Sequence, residues 1–237
     1  MLPGMTTLVL IRHGQASFGQ ANYDRLSELG ERQAAITGRY LAAMGERFDA
    51  KLSGDMARQR VTGERAREAW EDAPALAIQS GFNEYDADGL FRAYLPQMLQ
   101  ENPELAARQR ELFQDRKLFQ RVFLKIMDKW LAGEPHEAGD FEPWEAFRQR
   151  VTDALAAIHR DYDRDARIAV YTSGGPIAVA VAAALGLDGH RTLDLNWRIH
   201  NAAITELSSN RRGWALHGFN NVTHLRLEKD PTLITYR

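Results

Sequence analysis

Short apolar runs rich in β-branched residues alternate along the chain with long stretches of helical periodicity. The short runs predict strands at 7–11, 48–52, 76–79, 168–172 and 203–207. The apolar residues between them recur every three or four positions, which is typical of helices that bury one face. Strands that alternate with helices favour a mostly parallel sheet covered on both faces. The pattern therefore predicts an α/β fold with three layers.

Capping residues and apolar stripes locate the helices near the two ends of the chain. Ser27 is a predicted N-cap for a helix that stops at Gly45, and a second helix is expected to begin near Asp55. The most apolar segment, 177–187, is shorter than the roughly 20 residues that a membrane-spanning helix needs. It is predicted to be a buried helix, and no membrane segment is expected.

The region between Glu84 and the strand at 168–172 is the longest stretch without a strand signal. Apolar residues recur there at helical spacing and predict one helix that ends at Gly133, followed by another that begins at Pro143. The apolar positions of the first of these helices are Leu105, Leu112, Phe119, Phe123, Ile126 and Trp130.

No repeat or Pro/Gly/Ser-rich linker marks a domain boundary, so we expect a single domain, 1–237, with a helical insertion at about 88–162 over the active site. The aromatic residues of the insertion are expected in its core, although some can also roof a substrate pocket. Phe91, Arg92 and Tyr94 are the residues expected nearest to that pocket.

Composition narrows the classes of function. The chain has 237 residues, and 30 Lys and Arg against 32 Asp and Glu give a formal net charge of −2, which favours neither nucleic acid nor an anionic membrane surface as a partner. The absence of cysteine excludes disulfides, thiolate metal sites and a cysteine nucleophile. Residues 1–7 carry no secretory pattern, so a cytoplasmic location is expected.

The first predicted strand runs directly into Arg12, His13 and Gly14. The carboxyl edge of such a sheet is where α/β proteins bind their ligands. A histidine there can attack phosphorus while an arginine binds the phosphoryl oxygens. An isolated His-Gly pair in a strand-to-loop turn would more simply be a solvent-exposed histidine, so the interpretation depends on further residues.

Three further segments offer groups that suit a phosphoryl ligand. Arg58 follows the second strand in the first turn of a helix, and Glu84 places a carboxylate in the loop after the third strand. After the strand at 168–172, Ser173, Gly174 and Gly175 lead into the buried helix. Backbone N–H groups at such a helix start favour an anion.

These motifs, in this order, resemble the histidine phosphatase superfamily, also called phosphoglycerate mutase-like. Arg12-His13-Gly14 looks like the signature of the family, the segment 24–34 resembles the one that follows it, and the segment that ends at Arg58 resembles its second-arginine motif. Segments 201–207 and 220–225 look like the closing strands of the phosphatase branch more than those of the mutases. The resemblance runs nearly end to end.

The resemblance implies a role for each of these residues. His13 would be the nucleophile and form phosphohistidine, Arg12 and Arg58 would neutralise the phosphoryl oxygens, and Glu84 would act as proton donor. The residues expected to bind substrate are Arg12, Gly14, Gln15, Arg58, Ser173, Gly174 and His200. No metal or other cofactor is expected, because the guanidinium groups supply the positive charge. The remaining histidines form no short-range ligand pair.

One departure from the family pattern affects the expected chemistry. The family usually has a second histidine where this chain has Ser173. Serine can supply a hydrogen bond to the phosphoryl group but not a positive charge, and charge-assisted bonds are about twice as strong as neutral ones. His200, immediately before the strand at 203–207, is a candidate to replace the missing charge; a structural or solvated role is its simpler interpretation.

The sequence thus predicts a metal-independent phosphomonoester hydrolase that acts on a phosphorylated small molecule. Two alternatives stay open at this point: a phosphoglycerate mutase, and a weakly active or inactive relative that only binds a phosphorylated ligand. The physiological substrate and the oligomeric state do not follow from the sequence.

Overall fold

The computed structural model describes residues 5–17, 24–136, 140–210 and 213–236. Its strands are β1 (Thr7–Arg12), β2 (Ala50–Ser53), β3 (Leu76–Ile78), β4 (Arg167–Thr172), β5 (Ile204–Asn210) and β6 (Gly213–Asn221). Its α-helices are α1 (Glu28–Ala43), α2 (Ala57–Arg67), α3 (Ala87–Glu101), α4 (Pro103–Ala107), α5 (Arg116–Ala132), α6 (Trp144–Asp161), α7 (Gly174–Leu185), α8 (Gly189–Asn196) and α9 (Thr223–Leu227). Short 3₁₀ helices occur at Ser80–Phe82, Gln109–Glu111 and Pro231–Leu233.

The six strands form one sheet in the order β3-β2-β4-β1-β5-β6. The pairs β3-β2, β2-β4 and β4-β1 are parallel, whereas β5 is antiparallel to both of its neighbours. The predicted α/β class with a mostly parallel sheet is therefore confirmed. Because β1 and β4 are neighbours and run in the same direction, their carboxyl ends lie side by side, with Arg12 paired to Thr172.

Alternate residues of β1 pack on opposite faces of the sheet, as the period of two in a strand requires. Leu8 and Leu10 belong to a buried cluster that includes apolar residues of α6 and α7. Val9 and Ile11 belong to a different cluster that includes residues of α1 and α2. All four side chains are almost fully buried. The sheet is therefore covered on both faces, and the central strand ends inside the protein.

Local capping agrees with the sequence at several helix ends. Ser27 is the N-cap of α1, where its side chain accepts a hydrogen bond from the Gly30 N–H at 3.1 Å. Gly133 ends α5 in the left-handed conformation, with φ at 63°, which glycine adopts without steric cost. The buried helix α7 begins at Gly174, three residues before the start of the predicted segment.

The prediction of one helix from Leu105 to Trp130 is wrong. The structure divides this segment into α4, a 3₁₀ turn and α5. Asp115 causes the interruption, because its carboxylate accepts hydrogen bonds from the backbone N–H groups of Lys117 and Leu118 and so begins a new helix. Apolar spacing alone cannot reveal a break between two helices that bury similar faces.

The predicted closing strands also need correction. The segment 220–225 is not a strand throughout, because β6 ends at Asn221 and α9 begins at Thr223. Asn220 adopts a left-handed φ of 54°, and the Asn221 side chain accepts from the Thr223 N–H at 2.8 Å. Asparagine tolerates this conformation and forms such local bonds readily, which ends the strand and starts the helix.

The chain separates into two compact units, Tyr85–Gln149 and the larger unit formed by Met1–Glu84 with Arg150–Arg237. The larger unit contains the whole sheet and every predicted site residue. The smaller unit has an aromatic core in which the Trp130 ring packs against Tyr85, Trp144 and Phe147 at centroid distances of 5.0–5.7 Å. The single domain with an insertion at about 88–162 stays a prediction.

Residues proposed to shape a substrate pocket have other contacts within the smaller unit. Tyr94 is buried, and its hydroxyl donates to the Glu134 carbonyl at 3.1 Å. Phe91 stacks on the rings of Phe119 and Phe123. These contacts are sufficient to explain both aromatic residues as packing residues of that unit.

Candidate active site

Backbone hydrogen bonds at the ends of β1 and β4 place His13 beside Ser173. The His13 N–H donates to the Thr172 carbonyl at 2.8 Å, which continues the parallel ladder one residue beyond the end of β1. On the other side, the His13 carbonyl accepts from the Ala202 N–H at 3.2 Å. The backbone of His13 is therefore held by the segments on both sides of it, independently of the contacts of its side chain.

The His13 ring is buried, with only 5% of the residue exposed. Its Nδ1 lies 2.7 Å from the Gly14 carbonyl oxygen. A carbonyl can only accept, so Nδ1 carries the proton and Nε2 of the neutral ring carries the lone pair. Burial and the positive charges of Arg58 and Arg12 hold the pKa of His13 well below its usual value of 6.5, outweighing the opposing effect of the Gly14 bond. The ring is thus neutral at physiological pH, with a lone pair on Nε2.

Gly14 allows the loop after His13 to approach the start of α1. A Cβ built on Gly14 would lie 2.2 Å from the Gly30 carbonyl oxygen, so no larger residue fits. The Gly14 N–H donates to the Thr62 hydroxyl at 3.1 Å, which ties the same loop to α2. The glycine of the predicted signature therefore has a packing role that holds the His13 loop between two helices.

Gln15, predicted to bind substrate, is bonded within the protein. Its backbone N–H donates to the Gln33 side chain at 2.8 Å, and its side-chain oxygen accepts from the Ser27 hydroxyl at 3.0 Å. These bonds make Gln15 part of the support for the His13 loop. Its proposed contact with substrate stays a prediction.

The two arginines are held by different partners. Arg12 donates through Nη1 to the Ile199 carbonyl oxygen, and Arg58 donates through Nη1 to the Asp24 carboxylate at 2.9 Å. Asp24 also accepts from the Ala57 N–H at 2.8 Å and so caps the start of α2. Asp24 lies in the segment 24–34 that resembles the family pattern, but the sequence analysis gave it no role. An acidic residue in that segment is a signal that could have indicated a partner for Arg58.

The start of α7 brings Glu84 next to the loop after β4. The Gly175 N–H donates to Oε2 of Glu84 at 3.1 Å, and the carboxylate is half-buried. A Cβ on Gly174 would lie 2.2 Å from Oδ1 of Asn196, so a larger residue there would displace that side chain. The Ser173 side chain does not cap α7; its Oγ accepts from Nε2 of Gln59 at 2.8 Å.

The backbone of His200 lies near the site, but its ring contacts residues outside it. Its neighbours Ile199 and Asn201 contact Arg12 and His13. The ring of His200 packs against that of Tyr236 in a tilted arrangement, with the ring centroids 4.2 Å apart, and its Nδ1 lies 3.1 Å from Oδ1 of Asn220. The structure therefore holds His200 by contacts outside the proposed phosphoryl site.

A buried amide network supports the His13 loop, and sequence reasoning missed it. Gln33 accepts from the Gln15 N–H and donates to the Leu233 carbonyl at 2.9 Å and to the Thr235 hydroxyl at 2.9 Å. Thr235 in turn donates to Asn201, whose amide donates to the His13 carbonyl at 3.2 Å. The residues lie far apart in sequence, so no local pattern could have revealed the network.

Side chains that could ligate a metal do not cluster in the part of the chain that the structure describes. Within those ranges, no group of three or more His, Asp or Glu side chains is placed to hold a metal ion. The same ranges contain no helix that is both long enough and apolar enough to cross a membrane.

Solved structures of similar fold include a phosphoglycerate mutase from Bacillus anthracis, with a TM-score of 0.65, 17% identity, and coverage of 96% of this chain and 98% of that chain. A mycobacterial glucosyl-3-phosphoglycerate phosphatase gives a TM-score of 0.61 at 19% identity, covering 91% and 99%. A phosphoserine phosphatase from Entamoeba histolytica in complex with 3-phosphoglyceric acid gives 0.60 at 17% identity, covering 93% and 99%. At these identities the likeness shows the fold alone.

Among curated proteins, no sequence match is found. The profile of the histidine phosphatase superfamily (branch 1), in contrast, matches residues 8–122 and 114–222, which together span most of the chain and include the segments of His13, Arg58, Glu84 and Ser173. The chain therefore belongs to the histidine phosphatase superfamily, whose phosphatases and phosphoglycerate mutase-like enzymes define the class of its activity.

Proposed function

We propose that the chain is a metal-independent phosphomonoester hydrolase that acts through a phosphohistidine intermediate on His13. The observation that carries this proposal is the state of the His13 ring. The ring is buried, neutral and oriented by the bond from Nδ1 to the Gly14 carbonyl, and two guanidinium charges lower its pKa. A purely structural histidine has no need of two neighbouring cations, whereas a nucleophile that receives a phosphoryl group does.

In the first step, Nε2 of His13 forms a bond to phosphorus as the bond from phosphorus to the leaving oxygen breaks. Glu84 transfers its proton to that oxygen, so that an alcohol leaves. The guanidinium groups of Arg12 and Arg58 neutralise the non-bridging oxygens, for which their planar donor geometry suits better than a lysine. No metal ion is required for this charge balance.

In the second step, water attacks the phosphorus of phosphohistidine. Glu84, now a carboxylate, takes a proton from the water, the bond from phosphorus to Nε2 breaks, and inorganic phosphate leaves. The Gly175 N–H that donates to Glu84 positions the carboxylate for both transfers. Dividing the displacement into two steps with one nucleophile is the usual advantage of covalent catalysis.

The other predicted substrate contacts belong to the same proposal. Ser173 and the backbone at Gly174 would contact phosphoryl oxygens at the start of α7, while Gly14 and Gln15 would shape the loop on the opposite side. His200 is the least supported of these residues, because its ring already has packing and hydrogen-bond partners. We expect a phosphorylated small molecule as substrate, no nucleic-acid or membrane partner, and a cytoplasmic location.

The test is release of phosphate from an aryl phosphate without added metal and in the presence of a chelator. We expect His13→Ala to abolish turnover, a loss on the order of 10⁴-fold or more for a covalent nucleophile. The matched control is His159→Ala, an exposed histidine of α6, which should retain wild-type activity. After an acid quench with a labelled substrate, acid-labile phosphate should be found on His13 in the wild type only.

Two results would contradict this proposal in different ways. Equal phosphate release by wild type and His13→Ala would favour the alternative of a relative that only binds a phosphorylated ligand, which the neutral Ser173 motivates. Rapid transfer of the phosphoryl group within a phosphoglycerate, with little release to water, would favour a phosphoglycerate mutase.

A further inference from the structure

Gln59 is a buried polar residue next to Arg58 for which the proposed mechanism has no role. It lies in the first turn of α2 and is fully buried, with 0% of the residue exposed. Its Nε2 donates to the Phe82 carbonyl at 3.2 Å and to Oγ of Ser173 at 2.8 Å. One amide therefore contacts both the loop that leads to Glu84 and the serine at the position of the missing histidine.

The orientation of the Gln59 amide is defined by backbone groups. The Phe82 carbonyl can only accept, so the atom facing it is the nitrogen. The Met56 N–H can only donate, and it lies 3.4 Å from the other end, which is therefore the oxygen. Since both ends are assigned, the Ser173 oxygen must accept the hydrogen bond from Gln59, and the Ser173 hydroxyl proton is left to be donated elsewhere.

The position of Ser173 indicates where that proton is directed. Ser173 follows Thr172, whose carbonyl accepts from the His13 N–H, and precedes Gly175, whose N–H donates to Glu84. No residue in the described ranges accepts a hydrogen bond from the Ser173 hydroxyl. A buried hydroxyl on the segment that is bonded to both His13 and Glu84, with no acceptor in the described part of the protein, suits an oxygen of the transferring phosphoryl group.

Gly54 makes the space that Gln59 uses. A Cβ built on Gly54 would lie 2.0 Å from Oε1 of Gln59, so any larger residue would displace the amide. The position of the Gln59 amide, and with it the hydrogen bond to Ser173, therefore depends on a glycine at position 54.

We propose that Gln59 is a positioning residue that turns the Ser173 hydroxyl into a hydrogen-bond donor to the phosphoryl group. The inference rests on the proposed phosphatase function and explains how a neutral serine can serve in it. Gln59 acts through Ser173, because the Phe82 carbonyl that it also contacts keeps a second hydrogen bond, from the Thr172 hydroxyl at 2.6 Å. Its effect should therefore disappear when the serine hydroxyl is removed.

A double-mutant cycle on kcat for an aryl phosphate tests this dependence. Gln59→Met keeps the approximate volume of the side chain and removes both donors. We expect Gln59→Met and Ser173→Ala each to lower kcat about tenfold, as for the loss of one weak oxyanion donor. Gln59→Met introduced into the Ser173→Ala protein should change kcat by less than about twofold. Arg60→Met, an exposed change on the same helix, is the control and should leave kcat unchanged.

The outcomes separate this inference from the function on which it rests. Equal losses from Gln59→Met in the wild type and in the Ser173→Ala protein, or no loss in the wild type, would overturn the positioning role alone. Absence of His13-dependent turnover in the wild type would overturn the proposed function and this inference with it. If Gln59→Met does not fold, Gly54→Ala displaces the same amide without removing it, and the same dependence on Ser173 is expected.

Discussion

His13 and His224 are both buried histidines, but the surroundings of the proposed nucleophile, His13, differ from those of His224, a packing residue. His224 lies in α9 with 2% of the residue exposed, and burial lowers its pKa to about 4. Its partners are the Thr37 hydroxyl, at 3.1 Å from Nε2, and the Tyr40 ring, at 5.5 Å. His13 is equally buried, but its pKa is lowered by two arginines as well.

The nitrogens of the two rings also face different partners. In His224, Nε2 lies 3.1 Å from the Thr37 hydroxyl, and a backbone hydrogen bond with Ala202 opposes the effect of burial on the pKa. In His13 the proton is on Nδ1 and Nε2 carries the lone pair. The comparison teaches that burial and a low pKa do not by themselves mark a catalytic histidine. What distinguishes His13 is that the positive charges of Arg58 and Arg12 also lower the pKa of a ring whose Nδ1 is bonded to the Gly14 carbonyl.

The largest expected effect in this comparison comes from removing one of those cations. Arg58→Met should lower kcat/KM by about 10²–10³-fold, because one charged donor to the phosphoryl group is lost. The positive charge of Arg58 also holds the pKa of His13 down, so its removal should raise that pKa. Protonation of His13 then begins at a higher pH, and the acid limb of kcat/KM should move upward.

Arg58→Lys is the matched control for the position of the acid limb. Lysine keeps the charge but not the planar geometry, so activity should fall while the acid limb stays near that of the wild type. A limb that is unmoved in Arg58→Met would show that Arg58 does not influence the protonation of His13. Phosphate release measured from about pH 4 to 8 in all three proteins provides the comparison.

The second prediction concerns His224 and the free energy of unfolding. Its folded pKa of about 4 lies below the unfolded value of 6.5, so the unfolded chain binds the proton more strongly. The contribution of this histidine is therefore fully present above pH 6.5 and is lost as the pH falls toward 4. Linkage gives about 1.4 kcal/mol per pH unit over that window, or roughly 3 kcal/mol in all.

Urea unfolding of wild type and His224→Gln at several pH values measures this contribution. The variant should be less stable at neutral pH but should lose less stability than the wild type between pH 6.5 and 4. At neutral pH, its kcat should stay within about threefold of the wild type, because His224 touches no proposed phosphoryl ligand. If the free energy of unfolding falls equally with pH in the two proteins, His224 is not the group whose protonation destabilises the wild type.

The difference between these two histidines could be predicted only in part from the sequence. The pattern around Arg12, His13 and Gly14 identified a candidate nucleophile because a strand signal, a turn glycine and an arginine are adjacent in the chain. The strand order β4-β1-β5, which places Ser173 and Asn201 on either side of His13, depends on long-range pairing. Local patterns carry no such information, although the family resemblance implied that the motifs converge.

Other features escaped the sequence analysis because they are hydrogen bonds between distant residues. Gln59 is a polar residue in a predicted helix, which by itself indicates a solvated face, yet it is fully buried against Ser173. His224 was expected in a closing strand and lies instead in α9. Burial of a polar residue becomes visible only when its partners from other segments are known.

The smallest expected effect concerns the position where this chain departs from its family. Ser173→His would restore a cationic donor, and on charge alone it should raise the rate. The structure predicts the opposite for the single change, because Ser173 is fully buried and its Oγ lies 2.8 Å from the Gln59 nitrogen. An imidazole does not fit in that space without displacing Gln59, so kcat should fall about fivefold or more.

Ser173→His combined with Gln59→Ala removes the obstruction, and its kcat should recover to the wild-type level or exceed it by up to about tenfold. His200→Ala in the wild type is the matched test of whether charge is already supplied from elsewhere. Because the His200 ring is held by Asn220 and Tyr236, we expect less than about a threefold change in kcat. If His200→Ala instead lowers kcat more than about tenfold, and the double variant gains nothing, then the charge missing at Ser173 is provided by His200. In that case the site has been rebuilt around a serine with a displaced histidine, and Arg12 and Arg58 are not the only cations that set His13 apart from His224.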